Sequence, residues 1–140
     1  MKRLSLNRRI TARVEEEHGN ELRLVPVKVF LRYDIADPYA VRLDFTGIRV
    51  PVTWTIARDL LAEGLHFGVG DGDVYVAPDS EDADRVWIVL TSPTGTAHLA
   101  FVRDQLADVL EETNQLVAPG SESERIDWDR ELALLGGEAA

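Results

Sequence analysis

Between Leu4 and Glu15 the chain alternates. Leu4, Leu6, Ile10, Ala12 and Val14 occupy one parity and Arg3, Ser5, Asn7, Arg9 and Arg13 the other, with Arg8 as the one exception. A period of two with one apolar parity predicts a strand with one covered face. "EHGN" at 17–20 reads as a turn. From Leu22 to Tyr33 the apolar residues start on even positions and finish on odd ones, Val25, Val27, Val29, Leu31 and Tyr33. The change of phase falls beside Pro26, which predicts a bulge or an edge position there. "DIADP" turns the chain, with Asp34 and Asp37 placed to close the turn on their own backbone. Alternation returns over Tyr39–Phe45 and, after a turn at Gly47, over Ile48–Ile56. Four strands with short connections predict an antiparallel meander.

Period two then gives way. Ala57, Leu60, Leu61 and Leu65 stand at helical spacing and predict a short helix over about 56–63. Gly64 is placed to end it in a left-handed conformation, with Leu65 folding back on Leu60. "GVGDGD" at 68–73 follows, and its glycines raise the question of a phosphate cradle. Such a cradle needs glycines after a strand and before a helix, so that free amides face the anion. Here the helix comes first and a strand, Asp73–Ala77, comes after, while Asp71 and Asp73 bring negative charge. The segment reads as a corner.

Beyond an acidic loop, "PDSEDAD", the run "RVWIVLTS" is apolar on both faces and suits a central strand. "SPTG" makes a hairpin turn into "TAHLAFV". Val102, Leu106, Val109, Leu110, Thr113 and Leu116 mark a helix of about four turns. "APGSESE" reads as a polar linker, and "IDWDRELALLGG" as a short amphipathic helix with Asp127 as N-cap and Gly136 at its stop. The expectation is an α+β fold of mostly antiparallel sheets with two to three helices, ordered strands, helix, strands, helix. Residues 1–117 would form one domain and 118–140 a linker with a C-terminal helix. The second half loosely echoes the first, without a convincing repeat in the sequence itself.

Composition narrows the chemistry. The 140 residues fit one domain. Without cysteine there are no disulfides, thiolate zinc sites or cysteine nucleophiles. A formal net charge of -10 disfavours binding of nucleic acid or anionic lipid by the body of the protein. The N-terminal stretch lacks an apolar core of signal-peptide length and no segment is long enough to span a membrane, so a cytoplasmic location is expected.

His18, His66 and His98 fall in a turn, a corner and a strand, without the spacing of a metal site. No G-x-S-x-G elbow is present. "DGD" at 71–73 and "DSEDAD" at 79–84 lack the loop pattern of a calcium site and read as solvated loops. Lys2, Arg3, Arg8, Arg9 and Arg13 form a basic run without aromatic residues, which reads as a charged face guarding an edge strand. No catalytic, cofactor-binding or metal-ligating residue is assigned. The candidate partner-binding residues are Trp128, Leu132 and Leu135, which share one face of the tail helix.

Longer blocks carry a resemblance. "LRYDIADPYAV" (31–41), "WTIARDLLAEGL" (54–65), "GDVYVAP" (72–78) and "IVLTSPTGTAHL" (88–99) resemble the SsgA-like proteins of sporulating actinobacteria, as does "APGSESERIDWDREL" (118–132). Overall similarity points to the SsgB-type branch. The resemblance implies a fold similar to the Whirly and mitochondrial guide-RNA-binding proteins, two four-stranded sheets with helices, assembled as a homotrimer. It implies a non-enzymatic regulator of sporulation-specific cell division that uses no cofactor. Such a protein would help to localise the tubulin-like FtsZ at septum sites, with FtsZ, other divisome components and SsgA-like proteins as partners. The alternative is a single-stranded nucleic-acid binder, since the related folds do that work. A continuous basic track would be the sign of it, and the N-terminal strand alone offers one in the sequence.

Overall fold

The computed structural model describes residues 5–46 and 52–125. Eight strands, β1 (Ser5–His18), β2 (Glu21–Asp34), β3 (Ala40–Thr46), β4 (Val52–Ala57), β5 (Val69–Asp71), β6 (Val74–Pro78), β7 (Arg85–Ser92) and β8 (Gly95–Val102), form one antiparallel sheet. Helix α1 (Arg58–Gly64) follows β4, helix α2 (Arg103–Leu116) follows β8, and a 3-10 turn spans Glu122–Arg125. The order across the sheet is β4-β3-β2-β1-β8-β7-β6-β5. The two expected four-stranded sheets are therefore one, joined where Ala12, Arg13 and Val14 of β1 pair with Phe101, Ala100 and Leu99 of β8.

Alternation explains the core. Leu6, Ile10 and Ala12 are buried on the inner face while Asn7, Arg9, Thr11 and Arg13 are exposed on the outer one. Arg8, the exception in the pattern, has inner parity and reaches α2, donating from Nε and Nη2 to the Glu112 carboxylate at 2.7–3.2 Å. Leu60 and Leu61 of α1 and Leu106, Val109 and Leu110 of α2 cover the inner face and complete the core.

Several local expectations change. The β1–β2 ladder keeps one register through all its pairs from Ser5↔Asp34 to His18↔Glu21, so Pro26 makes no bulge. The described β2–β3 pairs run from Lys28↔Thr46 to Arg32↔Arg42, so Pro26 falls outside them and its missing N–H costs none of them. The shift of apolar parity leaves Leu22 on the surface, 65% exposed. β1 is central in the sheet, not an edge strand; β4 and β5 are the edges. β5, three residues inside the glycine-spaced segment, is too short to show a period. It turns into β6 through Gly72, whose φ of +59° favours glycine. The turn at Gly47 and the strand positions before Val52 lie outside the described residues.

Gly64 is also re-read. It closes α1 in helical conformation and is absent from the left-handed glycines, and Leu65 after it is αR. What requires glycine is contact: a β-carbon would overlap the Val76 side chain and come within 3.2 Å of the Val76 carbonyl carbon.

The two halves repeat. Strand β3 begins at Ala40 and β7 at Arg85, β4 ends at Ala57 and β8 at Val102, and the helices open at Arg58 and Arg103, each pair 45 positions apart. The registers shift in step: Ala40↔Ala57 becomes Arg85↔Val102, and Val29↔Phe45 becomes Val74↔Leu90. Neither helix has a side-chain N-cap. In each, the first N–H donates instead to a carbonyl just before a strand, Arg58 to Tyr39 at 2.8 Å and Arg103 to Asp84 at 2.7 Å.

Gly64→Ala tests the contact argument. Alanine is the better helix former by about 1 kcal/mol, yet overlap with Val76 should give a net loss of about 1–3 kcal/mol, as overpacking does. Urea unfolding should show it, and Val76→Ala in the same chain should recover part of the loss.

Candidate interaction sites

A buried arginine that sequence reasoning passed over ties the two helices together. Arg58, 2% exposed, opens α1 and crosses to the end of α2. Its Nη1 donates to the carbonyls of Thr113 (3.2 Å) and Val117 (2.8 Å), and its Nη2 to Glu122 Oε2 (2.9 Å). The guanidinium stands 5.2 Å from the centroid of the Tyr33 ring. The last turn of α2 holds no basic residue of its own. Arg58 supplies the cation that the helix dipole favours there, and partners for carbonyls that a helix end leaves open.

Arg103 answers from the other side. It opens α2, and its Nε donates to the carbonyl of Leu65, the C-cap of α1, at 3.2 Å. Each helix thus begins with an arginine that caps the other's end. The signal was present in the sequence as "ARDLLA" (57–62) and "VRDQLA" (102–107), a short repeat at the same spacing as the structural one.

Glu122 completes the arrangement. It is 5% exposed although it belongs to a stretch that reads as a polar linker. Its Oε1 accepts the Gly120 N–H at 2.8 Å while Oε2 takes Arg58. The Arg58 hydrogen bond, first, and the backbone amides hold its carboxyl below the ordinary glutamate range.

The residues considered for chemistry are scattered. His18 lies 3.3 Å from Glu16, His66 3.5 Å from Arg103, and His98 4.0 Å from Glu15. Among the described residues no group of three or more His, Cys, Asp or Glu could hold a metal. In the acidic loop Asp79 accepts the N–H groups of Glu81 and Asp82 and the Trp87 indole (2.6 Å). Its lowered pKa follows from those bonds, and its role is to shape the loop. Asp34 closes its turn by accepting the Ala36 N–H, whereas Asp37 contributes its backbone carbonyl. Trp128, Leu132 and Leu135 lie outside the described residues.

One cavity among the described residues is apolar. About 470 Å³ opens at the end of the inner face that the helices leave uncovered, walled by Val14, Val27, Phe45, Trp54, Leu90 and Leu99. Ser92, Thr94 and Thr96 add hydroxyls, and none of the described lining residues carries a charge. Strands from both halves of the sheet meet around it, so the sheet curls. Such a lining can hold an apolar group; it offers no acid, base or charged nucleophile.

Residues 27–122 match the family described as the Streptomyces sporulation and cell division protein SsgA. The chain belongs to the SsgA-like family. It is 46% identical over 117 residues to the sporulation-specific cell division protein SsgB of Streptomyces coelicolor, covering 82% of this chain and 85% of that one. Its likeness to SsgB of Salinispora tropica is 39% over 146 residues, 96% and 99% of the two chains. Among solved structures, the SsgA-like sporulation-specific cell division protein of Thermobifida fusca superposes with a TM-score of 0.79 at 34% identity, covering 94% of this chain and 95% of that one. The family's α+β architecture is the one found here, and its matched region includes both Arg58 and Glu122.

Removing one partner of a buried pair strands the other without solvent. Arg58→Met should therefore destabilise this SsgA-like chain by about 3–5 kcal/mol. A pH titration isolates Glu122. Because its folded pKa is depressed, its contribution is complete above the ordinary glutamate value, about 4.3, and fades as the pH falls through the lower folded value. Urea midpoints should drop on acidification below that point, and Glu122→Gln should flatten the drop.

Proposed function

We propose that this chain is a non-enzymatic regulator of sporulation-specific cell division, which helps to localise the FtsZ machinery at septum sites through protein–protein contacts. The observation that carries the reading is the family match over 27–122, together with relatives named as sporulation-specific cell division proteins. Two features of the chain support it. The apolar cavity has no ionisable residue in its described lining, and the buried charges, Arg58 and Glu122, are consumed in holding helix ends. No helix among the described residues is long and apolar enough to cross a membrane. The protein would act in the cytoplasm, concentrated at the septum.

A homotrimer is part of the proposal. The sheet is open at β4 and β5, and unpaired edges invite association. The exposed Phe67 (57%) and Tyr75 (47%) lie in or beside the β5–β6 hairpin and add apolar area near one of those edges. Trp128, Leu132 and Leu135 are proposed as anchors for a division partner, since interface energy concentrates in a few clustered residues.

Co-sedimentation with FtsZ polymers tests the reading directly. The full chain should sediment with them, and a chain ending at Arg125, which retains Glu122, should fold but sediment less. Failure of the full chain to sediment would contradict the FtsZ role. Light scattering should give a mass of three chains; a monomer at micromolar concentration would contradict the assembly.

A further inference from the structure

The outer face of the first four strands has a charge opposite to that of the molecule. Register places Asn7, Arg32, Arg42 and Thr55 in one row across β1–β4, and Arg9, Phe30, Asp44 and Thr53 in the next. Thr11, Lys28 and Thr46 form a third row, and Arg13 beside Pro26 a fourth. Five cations therefore share one surface of a chain whose net charge is -10.

Pairing does not account for them. The one carboxylate in these rows, Asp44, is held by Arg32 at 2.7 Å and by the Thr53 hydroxyl at 2.6 Å. Arg9, Arg13, Lys28 and Arg42 are exposed, with no ion pair or side-chain hydrogen bond among the described residues. Arg32 and Arg42 are direct cross-strand partners, an arrangement of like charges that weakens a sheet. Diagonal neighbours such as Arg9 and Lys28 stand roughly 7–8 Å apart across a ladder. That spacing spreads the charge along a line.

We propose that this face docks a short acidic segment of a protein partner. Its size sets the length. From the Arg13 row to the Arg32 row is six residues of β1, about 20 Å at roughly 3.3 Å per residue, which an extended peptide of about six residues spans. Carboxylates close both ends: Glu15, Glu16, Glu17 and Glu21 at the β1–β2 hairpin, and Asp34 and Asp37 at the β2–β3 turn. A long polyanion would run into them, whereas a short segment lies within the basic rows. Stacking also argues against a polynucleotide. Phe30 is the one aromatic ring in these rows and is half-buried, and single-strand binders need several platforms. The inference rests on the reading that the chain works through protein contacts, but it is independent of whether FtsZ is the partner.

Fluorescence anisotropy on the full chain tests it, with a labelled eight-residue peptide of alternating Glu and Asp. The peptide should bind saturably and be displaced by salt, since exposed charge contacts are screened. The triple variant Arg9→Gln, Lys28→Gln, Arg42→Gln should bind roughly tenfold more weakly, as expected for three exposed charge contacts. Arg23→Gln, a basic residue on the hairpin beside Glu21, should bind like the parent. These surface changes should leave the melting temperature near that of the parent. Absence of peptide binding, equal binding by the triple variant, or saturable binding of a labelled oligothymidine in preference to the peptide would each overturn the proposal. Peptide binding alongside failed FtsZ co-sedimentation would retain this face and discard FtsZ.

Discussion

Two arginines hold the helices of this fold to one another. Arg58 and Arg103 each occupy the first position of a helix, and each donates to carbonyls at the end of the other helix. A helix end carries partial negative charge and open acceptors, and neither α1 nor α2 has a basic residue in its last turn. The chain meets that need across the repeat, not within each helix. Because the helices continue directly from β4 and β8, the crossed caps also bind the two halves of the sheet together. This matters at the joint between the halves, where β1 and β8 share the pairs of Ala12, Arg13 and Val14.

The crossed caps are unequal. Arg58 is buried and carries a buried carboxylate with it, while Arg103 is partly exposed. Burial makes the Arg58–Glu122 pair demanding: its desolvation must be repaid by good geometry and further hydrogen bonds. The Thr113, Val117 and Gly120 backbone groups supply them. In this way the stretch after α2 is fixed to the domain at Glu122, although it has the composition of a linker. The charges left for solvent are segregated, with acidic hairpin and loop tips surrounding a basic outer face. A fold whose buried charges serve structure and whose free charges lie on broad surfaces is suited to contact, which agrees with an SsgA-like division protein.

Much of this was legible in the residues. Alternation in β1 and β3 and the i, i+3, i+4 spacing in α2 determine those elements, because burial on one face leaves a period, while the doubly apolar run of β7 marks a strand inside the sheet. The family blocks were legible for the same reason that they are long. What escaped had no period to show. β5 is three residues long. Gly64 looks like a helix stop, and the need for glycine comes from Val76, which is distant in sequence. Glu122 sits among small polar residues and acquires its burial from an arginine 64 positions earlier. The basic face is divided among three strands, so the sequence displays only the portion in β1, and register assembles the rest.

The crossed-cap account is tested most directly by backbone hydrogen exchange on the parent chain and on Arg58→Met. The Val117 amide bonds to the Thr113 carbonyl and the Ser121 amide to that of Ala118, both at 3.0 Å and both beside the Arg58 site. If Arg58 holds the end of α2 and its continuation, these two amides should lose protection together, and by more than those of the β1–β2 ladder. Parent-like protection at Val117 and Ser121 in the variant would contradict the account.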